Sequence, residues 1–368
     1  MKKGVVIVGA GPAGLAIAAC LNVLSIPNIH LEKEDCYAHL WKKKAYDRLS
    51  LHLAKEFCAL PHMPHADSTP TYIPKNQFVE YLDEYVVRFN VNPIFNVSVE
   101  CAMYDECSKS WSVKTRNLAT GEENEYKAQF LVVATGENAQ GIIPDIPGLK
   151  SFDGDVIHSS RYSNSGMEIA YDLTNFGAKT SISIRSPFHV MTKGFIRLGM
   201  TLVQYLPLKL VDKILIALNC IYYGNLSRYG ILRPEIGPLA LKALKGRSAV
   251  IDVGTVNKIK SGEIQVVKEP VMVNGNQVTF KDGETHHFDG IVFATGYRST
   301  AKNWLKDDKG WLLNEDGLPR EKFPNHWKGK NGLYCVGLSK RGLFGIAKDA
   351  EITAQDIAKT LSTERLNG

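Results

Sequence analysis

The 368-residue chain has few cysteines for its length: seven, at positions 20, 36, 58, 101, 107, 220 and 335. The number is odd and no two form a C-x-x-C pair. That argues against a disulfide framework or a zinc site and for a reducing compartment. No long run is free of charge. Arg197, Lys209, Asp212 and Lys213, together with Pro207, interrupt the most apolar stretch, Phe195 to Tyr223. A membrane span is therefore not expected. The stretch reads as two buried helices, with an amphipathic segment on a membrane surface as the alternative. The first apolar run, Val5 to Val8, breaks at once into glycines and lacks the length and cleavage site of a signal peptide. Low-complexity sequence and a concentrated Lys/Arg stripe are also missing. The charge of +6, from 44 basic and 38 acidic residues, suits an anionic small ligand better than nucleic acid. The expected location is cytoplasmic, with the cytosolic face of the endoplasmic reticulum left open.

What is present is a globular composition, 44% hydrophobic and 22% charged. At roughly 150 residues per domain, the length predicts two domains. Val5-Val6-Ile7-Val8 reads as a strand buried on both faces. It runs into Gly9-Ala10-Gly11-Pro12-Ala13-Gly14 and then an apolar helix, Leu15 to Leu24. This is G-x-G-x-x-G in a strand–turn–helix context. Gly9 permits the tight turn, Gly11 admits a pyrophosphate to the backbone, and Gly14 lets helix and strand pack closely. The helix N-terminus then faces the phosphates. A second strand, Asn28 to Leu31, ends in Glu32, 18 residues after Gly14, where a carboxylate would hold a ribose hydroxyl.

Two later segments bear on whether that dinucleotide is FAD or NAD. Phe130 to Gly136 and Phe288 to Tyr297 are apolar strands, each running into Ala-Thr-Gly, at Thr135-Gly136 and Thr295-Gly296. Small-residue turns at the carboxyl ends of strands are where open α/β sheets bind ligands. Two copies resemble the linkers of flavoproteins that carry two dinucleotides. Gly332 to Gly337 reads as one more strand, and Ala347 to Leu361 as a closing helix whose N-terminus would point at the flavin pyrimidine.

Further motifs carry a family resemblance. Phe152-x-Gly154-x-x-x-His158-x-x-x-Tyr162 matches the flavin-monooxygenase signature. Trp41 after Glu32, Tyr46 to Leu53, Cys58 to Pro64, His326 to Tyr334 and Asp349-Ala350 resemble the plant YUCCA group of class B flavin monooxygenases. The resemblance covers nearly the whole chain. It implies an α/β fold of two Rossmann-like domains, the NADPH domain inserted into the FAD domain. It also implies a monooxygenase that takes indole-3-pyruvate, NADPH and O2 to indole-3-acetate. By position it assigns Gly9, Gly11, Gly14 and Glu32 to FAD, with Trp41, Leu53 and the backbone at Val99 lining the cofactor. His52 falls beside the flavin and its oxygen adduct; a hydrogen-bonded core histidine is the alternative. His158 and Tyr162 would organise the junction between domains. Arg341, with Lys340, is the candidate for meeting a substrate carboxylate.

The second nucleotide site departs from the family pattern. Ser165-Gly166 opens an apolar helix in the same register as the first, and Thr180 to Ile184 leads to Arg185-Ser186. Arg185 lies 19 residues after Gly166, where an arginine in place of an acid accepts the 2′-phosphate of NADP; a solvated strand end is the alternative. The strand and the two glycines that precede this helix in relatives are missing. Roughly 15–20 residues are absent, about one strand with its turn. The second sheet is expected to lack its first strand and NADPH binding to be weak. Residues 1–150 and 293–368 would form the FAD domain and 151–292 the incomplete NADPH domain. Three functions compete: a working monooxygenase, an FAD-binding variant with impaired NADPH coupling, and a non-flavin reductase of the same fold.

Overall fold

The structure, a computed structural model, describes residues 4–46, 49–162, 166–307 and 309–366. The chain divides into two compact units, residues 1–140 with 297–368, and residues 141–296.

The first unit is built on a five-stranded parallel sheet. Strand β1 (Val5–Val8) pairs with β2 (Asn28–Leu31) on one side and β7 (Phe130–Val133) on the other. A short β3 (Pro93–Ile94) lies beyond β2, and the strand Leu333–Cys335 lies beyond β7. All residues of β1 and β7 are buried, as expected of strands covered on both faces. Helix α1 (Pro12–Val23) crosses from β1 to β2 and buries nine residues, Ala13 to Leu21. The C-terminal helix Gly342–Leu366 packs on α1 and returns the chain to the first strand's layer.

Helix α2 (Lys75–Arg88) buries Phe78, Tyr81, Leu82 and Tyr85 at helical spacing, and Phe89 follows at its C-cap. These are core residues, and two of them have a further task. The Tyr81 hydroxyl donates to Met63 O at 2.6 Å and accepts from Leu60 N at 2.8 Å, and the Tyr85 hydroxyl donates to Pro61 O. Three strands, β4 (Val97–Asp105), β5 (Ser110–Asn117) and β6 (Glu123–Ala128), form a separate antiparallel sheet.

The second unit contains the hairpin sheet Pro270–Asn274, Gln277–Phe280 and Thr285–His287, turned at Gly275 and Gly283, both with positive φ. Its described residues also hold the parallel pair Val190–Met191 with Val250–Ile251 and two longer parallel pairs, Asp155–His158 with Gly290–Phe293, and Thr180–Ser183 with Ile264–Val267. Among the described residues these two pairs belong to separate sheets.

The expectation of two buried helices over Phe195 to Tyr223 needs correction. The helices are there, Lys193–Leu202 and Leu208–Tyr223, parted at Pro207. Burial is one-sided, however. The first buries only Gly199, and Tyr205, Ile221 and Tyr222 are exposed. The second sets Val211, Leu215, Asn219 and Tyr223 inward at i, i+4 spacing. Asp212, buried with them, accepts the amides of Leu239 and Ala240 at the start of the next helix. Among the described residues no helix is long and apolar enough to cross a membrane.

Candidate functional site

The three glycines of the first motif differ in what surrounds them. Gly9 has φ +103°, and a Cβ there would meet Ala134 O at 2.7 Å. A Cβ on Gly14 would meet Gly9 O at 1.8 Å, which is the close helix–strand approach that the motif needs. A Cβ on Gly11 would meet nothing within 4 Å. This is the open face at the α1 N-terminus, where no side chain caps the helix and no acid stands in the first turn. The free N–H groups and the helix dipole make it a seat for a pyrophosphate.

Glu32, at the end of β2, turns its carboxylate back to this turn. Oε2 accepts the amide of Ala10, and Oε1 accepts the amide of Glu34 at 2.9 Å. Burial raises its pKa above the usual carboxylate range, and the two amides oppose that rise. Each oxygen retains a lone pair for a ribose hydroxyl. His30, two residues earlier, was not singled out in the sequence. Its Nε2 donates to the carbonyl of Gly9 at 2.9 Å, and burial lowers its pKa to about 4. The imidazole is therefore neutral and acts as a fixed strut under the glycine turn. A histidine in a buried strand carries no sequence signal for that contact.

Thr135 and Gly136 follow β7, and the Thr135 Cα would lie 3.0 Å from a Cβ on Gly9. The Thr135 hydroxyl is buried with no protein partner. Gly136 has φ +78°, with open space where a Cβ would be. Glycine turn, ribose acid and Thr135 turn thus meet at the carboxyl ends of adjacent strands β1, β2 and β7.

Trp41 lies in the π-helical turn Leu40–Lys44 and packs edge-on against Phe78, ring centroids 4.7 Å apart. Leu53 packs on the same core. The segment carrying His52 and Leu53 is pinned by backbone bonds from Leu51 N to Ile73 O and from Lys55 N to Thr71 O. His52 itself is half-buried. Val99 is buried in β4, beside a register shift that ends at Cys101. Arg341 stacks its guanidinium over Phe323 at 4.1 Å and near Phe344 at 5.5 Å, and the Lys340 amide donates to Glu137. The loop they occupy is tied down by Asp349, which accepts from His326 Nε2 at 2.9 Å and from Gly337 N at 3.4 Å.

In the second unit Thr295 and Gly296 are engaged by protein. The Thr295 hydroxyl donates to Ile142 O, and Gly296 O accepts from Ile142 N and from His158 Nε2 at 3.1 Å. Since His158 Nδ1 accepts the amide of Ser160, its proton sits on Nε2. Gly166 opens the helix Gly166–Asn175, with Ala294 3.0 Å from where its Cβ would be. Ser165 lies outside the described residues. Arg185 is exposed just after the strand Thr180–Ser183, with Ser186 half-buried beside it.

The first unit therefore fits FAD: open backbone at Gly11, a paired acid at Glu32 and an unused buried hydroxyl at Thr135. Among the described residues the second unit shows no second glycine turn of this kind. A helical turn, Ser159–Tyr162, follows the strand Asp155–His158 where the first unit has its glycine turn, and Gly166 is the one glycine between positions 155 and 176.

The pyridine nucleotide-disulphide oxidoreductase family matches residues 6–193. The probable indole-3-pyruvate monooxygenase YUCCA10 of Arabidopsis thaliana is 51% identical over 384 aligned residues, covering 100% of both chains. The probable indole-3-pyruvate monooxygenase YUCCA9 of the same plant is 44% identical, over 98% of this chain and 90% of that protein. Among solved structures, OTEMO in complex with FAD and NADP superposes with a TM-score of 0.71 at 14% identity, covering 100% of this chain and 85% of that one; at that identity the likeness shows the fold. The chain belongs to the YUCCA group of flavin monooxygenases, within the pyridine nucleotide-disulphide oxidoreductases.

Proposed function

We propose that this protein is an FAD- and NADPH-dependent monooxygenase acting on a 2-oxo acid, indole-3-pyruvate. Indole-3-pyruvate, NADPH, O2 and a proton give indole-3-acetate, CO2, NADP+ and water. The observation that carries the reading is the meeting of the Gly9–Gly14 turn, Glu32 and the Thr135 hydroxyl at one sheet edge, in a chain 51% identical to a relative of that name. The alternatives raised by the sequence, an uncoupled FAD-binding variant and a non-flavin reductase, find no observation that favours them over this one.

FAD, when bound, supplies hydride acceptance and oxygen activation. The chain's own residues have four tasks. The α1 N-terminal amides offset the pyrophosphate charge, and Glu32 accepts the ribose hydroxyls. Trp41 and Leu53 present apolar surface that keeps water from the cofactor. His52 would hold a hydrogen bond to the flavin, and Arg341 would offer a cation to the substrate carboxylate. Arg185 and Ser186 take the 2′-phosphate of NADPH, while the backbone that would hold its pyrophosphate is reduced to Gly166.

The missing strand has two supports. The 384 aligned positions with YUCCA10 exceed the 368 residues of this chain by 16, and Thr180–Ser183 pairs with Ile264–Val267 but with no third strand among the described residues. The cytoplasm is the location we propose, with the cytosolic face of the endoplasmic reticulum as the alternative. The test is conversion: purified protein given indole-3-pyruvate, NADPH and O2 should release indole-3-acetate and CO2 in equal amounts. Turnover of NADPH to hydrogen peroxide with no acid formed would refute the assignment.

A further inference from the structure

The loop that joins Glu32 to Trp41 gathers three metal-ligating side chains that the flavin site does not use. Asp35, Cys36 and His39 each offer one ligand atom, and these atoms all lie within 4.8 Å of one another. His39 Nδ1 lies 3.8 Å from Cys36 Sγ and 3.7 Å from Asp35 Oδ1. Tetrahedral zinc, with bonds of about 2.3 Å to sulfur and 2.0 Å to nitrogen or oxygen, sets those edges near 3.5 and 3.3 Å. The two edges that meet at His39 Nδ1 stand within a few tenths of an ångström of those values.

Two neighbours orient the trio. Glu34 Oε2 lies 3.7 Å from His39 Nε2, on the far side of the ring. The other ring nitrogen, Nδ1, is the one near the cysteine and the aspartate. A carboxylate near the outer ring nitrogen is the kind of neighbour that ligating histidines take as their outer-shell partner. Lys43 contacts Asp35 through Oδ2, the oxygen away from His39, so Oδ1 remains turned to the centre.

We propose that Asp35, Cys36 and His39 form a three-ligand site for a thiophilic divalent cation of the zinc type, its fourth position left to water. Mixed S, N and O ligands suit zinc over magnesium or calcium, which take oxygen alone. On binding, the Cys36 thiol proton leaves to solvent as the sulfur–metal bond forms. The spacing, D-C-x-x-H on one turn, lacks the paired cysteines by which zinc sites are read from sequence, so composition alone gave no sign of it. The ion would cross-link the segment that carries the ribose acid at one end and Trp41 at the other.

The test is a cobalt(II) titration of the flavin-loaded full chain under a non-thiol reductant. Absorption is read in the red, where flavin is transparent, and zinc is added afterwards as competitor. One equivalent of cobalt should give tetrahedral bands that zinc abolishes. Cys36→Ser and His39→Ala should each lose the signal while keeping their flavin spectrum, which reports folding. Cys107→Ser, an exposed cysteine elsewhere, should keep it. Glu34→Gln should weaken binding about tenfold. Cobalt bands that survive in Cys36→Ser or His39→Ala, or a titration that never saturates, would overturn the site.

Discussion

The amide of Ala10, in the middle of the glycine turn, donates to the carboxylate of Glu32 at the end of the neighbouring strand. Turn and acid are 22 residues apart in sequence, yet they form one object. The acid that would hold the ribose also fixes the backbone that would hold the pyrophosphate. Glu32→Ala should therefore do two things. It strands the amides of Ala10 and Glu34, destabilising the fold by about 1–3 kcal/mol. It also removes the acceptor of the ribose hydroxyls. Glu32→Gln keeps one acceptor and should lose less stability, but about 10- to 100-fold in FAD affinity. Thermal unfolding and flavin titration separate the two effects. Equal FAD affinity for both forms would show that the acid does not touch the ribose.

The glycines make a second pair of expectations. Gly14→Ala places a methyl 1.8 Å from Gly9 O, a backbone atom that cannot yield. It should cost more than about 4 kcal/mol and give colourless or insoluble protein. Gly11→Ala meets nothing within 4 Å. It should fold with a loss of about 1 kcal/mol at the helix cap, while FAD affinity falls about tenfold or more as the methyl enters the phosphate seat. Circular dichroism and bound-flavin stoichiometry are the readouts, and a Gly11→Ala protein with undiminished flavin affinity would move the pyrophosphate elsewhere.

His30 predicts a pH dependence. Its folded pKa, about 4, lies below the ordinary 6.5. The unfolded chain therefore takes up the proton first, and stability falls as pH drops from about 6.5 towards 4. The loss approaches about 3 kcal/mol at the low end. His30→Gln, which retains a donor towards Gly9 O, should flatten that part of the profile. Denaturant midpoints across this window in the two proteins decide the matter; parallel profiles would mean that His30 does not titrate as its burial requires.

The second unit predicts a skewed nucleotide response. With Arg185 and Ser186 present but the glycine turn missing, preference for NADPH over NADH should persist while the KM for NADPH rises at least about tenfold over that of YUCCA10 measured alongside. Arg185→Ala should lower the NADPH/NADH preference about tenfold and leave flavin content unchanged. If the preference is insensitive to that change, Arg185 is a solvated strand end.

The first unit was legible because each of its signals is local. A β-branched run, glycines at fixed offsets and an acid after the next strand have one physical solution, and Gly9 makes the tight turn and Gly14 the close packing that spacing assigns. Thr135 and Thr295 show where such reading ends. Both stand in an Ala-Thr-Gly turn after a strand, but the first hydroxyl is buried without a protein partner while the second is given to Ile142 O. Only tertiary contacts separate them. The role of His30 and the outward faces of Tyr205 and Ile221 were hidden for the same reason: strand and helix periodicity place a side chain on a face but do not say what covers it.

The most direct test of the flavoenzyme reading is anaerobic addition of NADPH to the purified protein, followed by absorbance. One FAD per chain should bleach at millimolar NADPH and recover on admitting O2, with indole-3-acetate formed when indole-3-pyruvate is present. A protein that holds no flavin, or a flavin that stays oxidised under saturating NADPH, would contradict it.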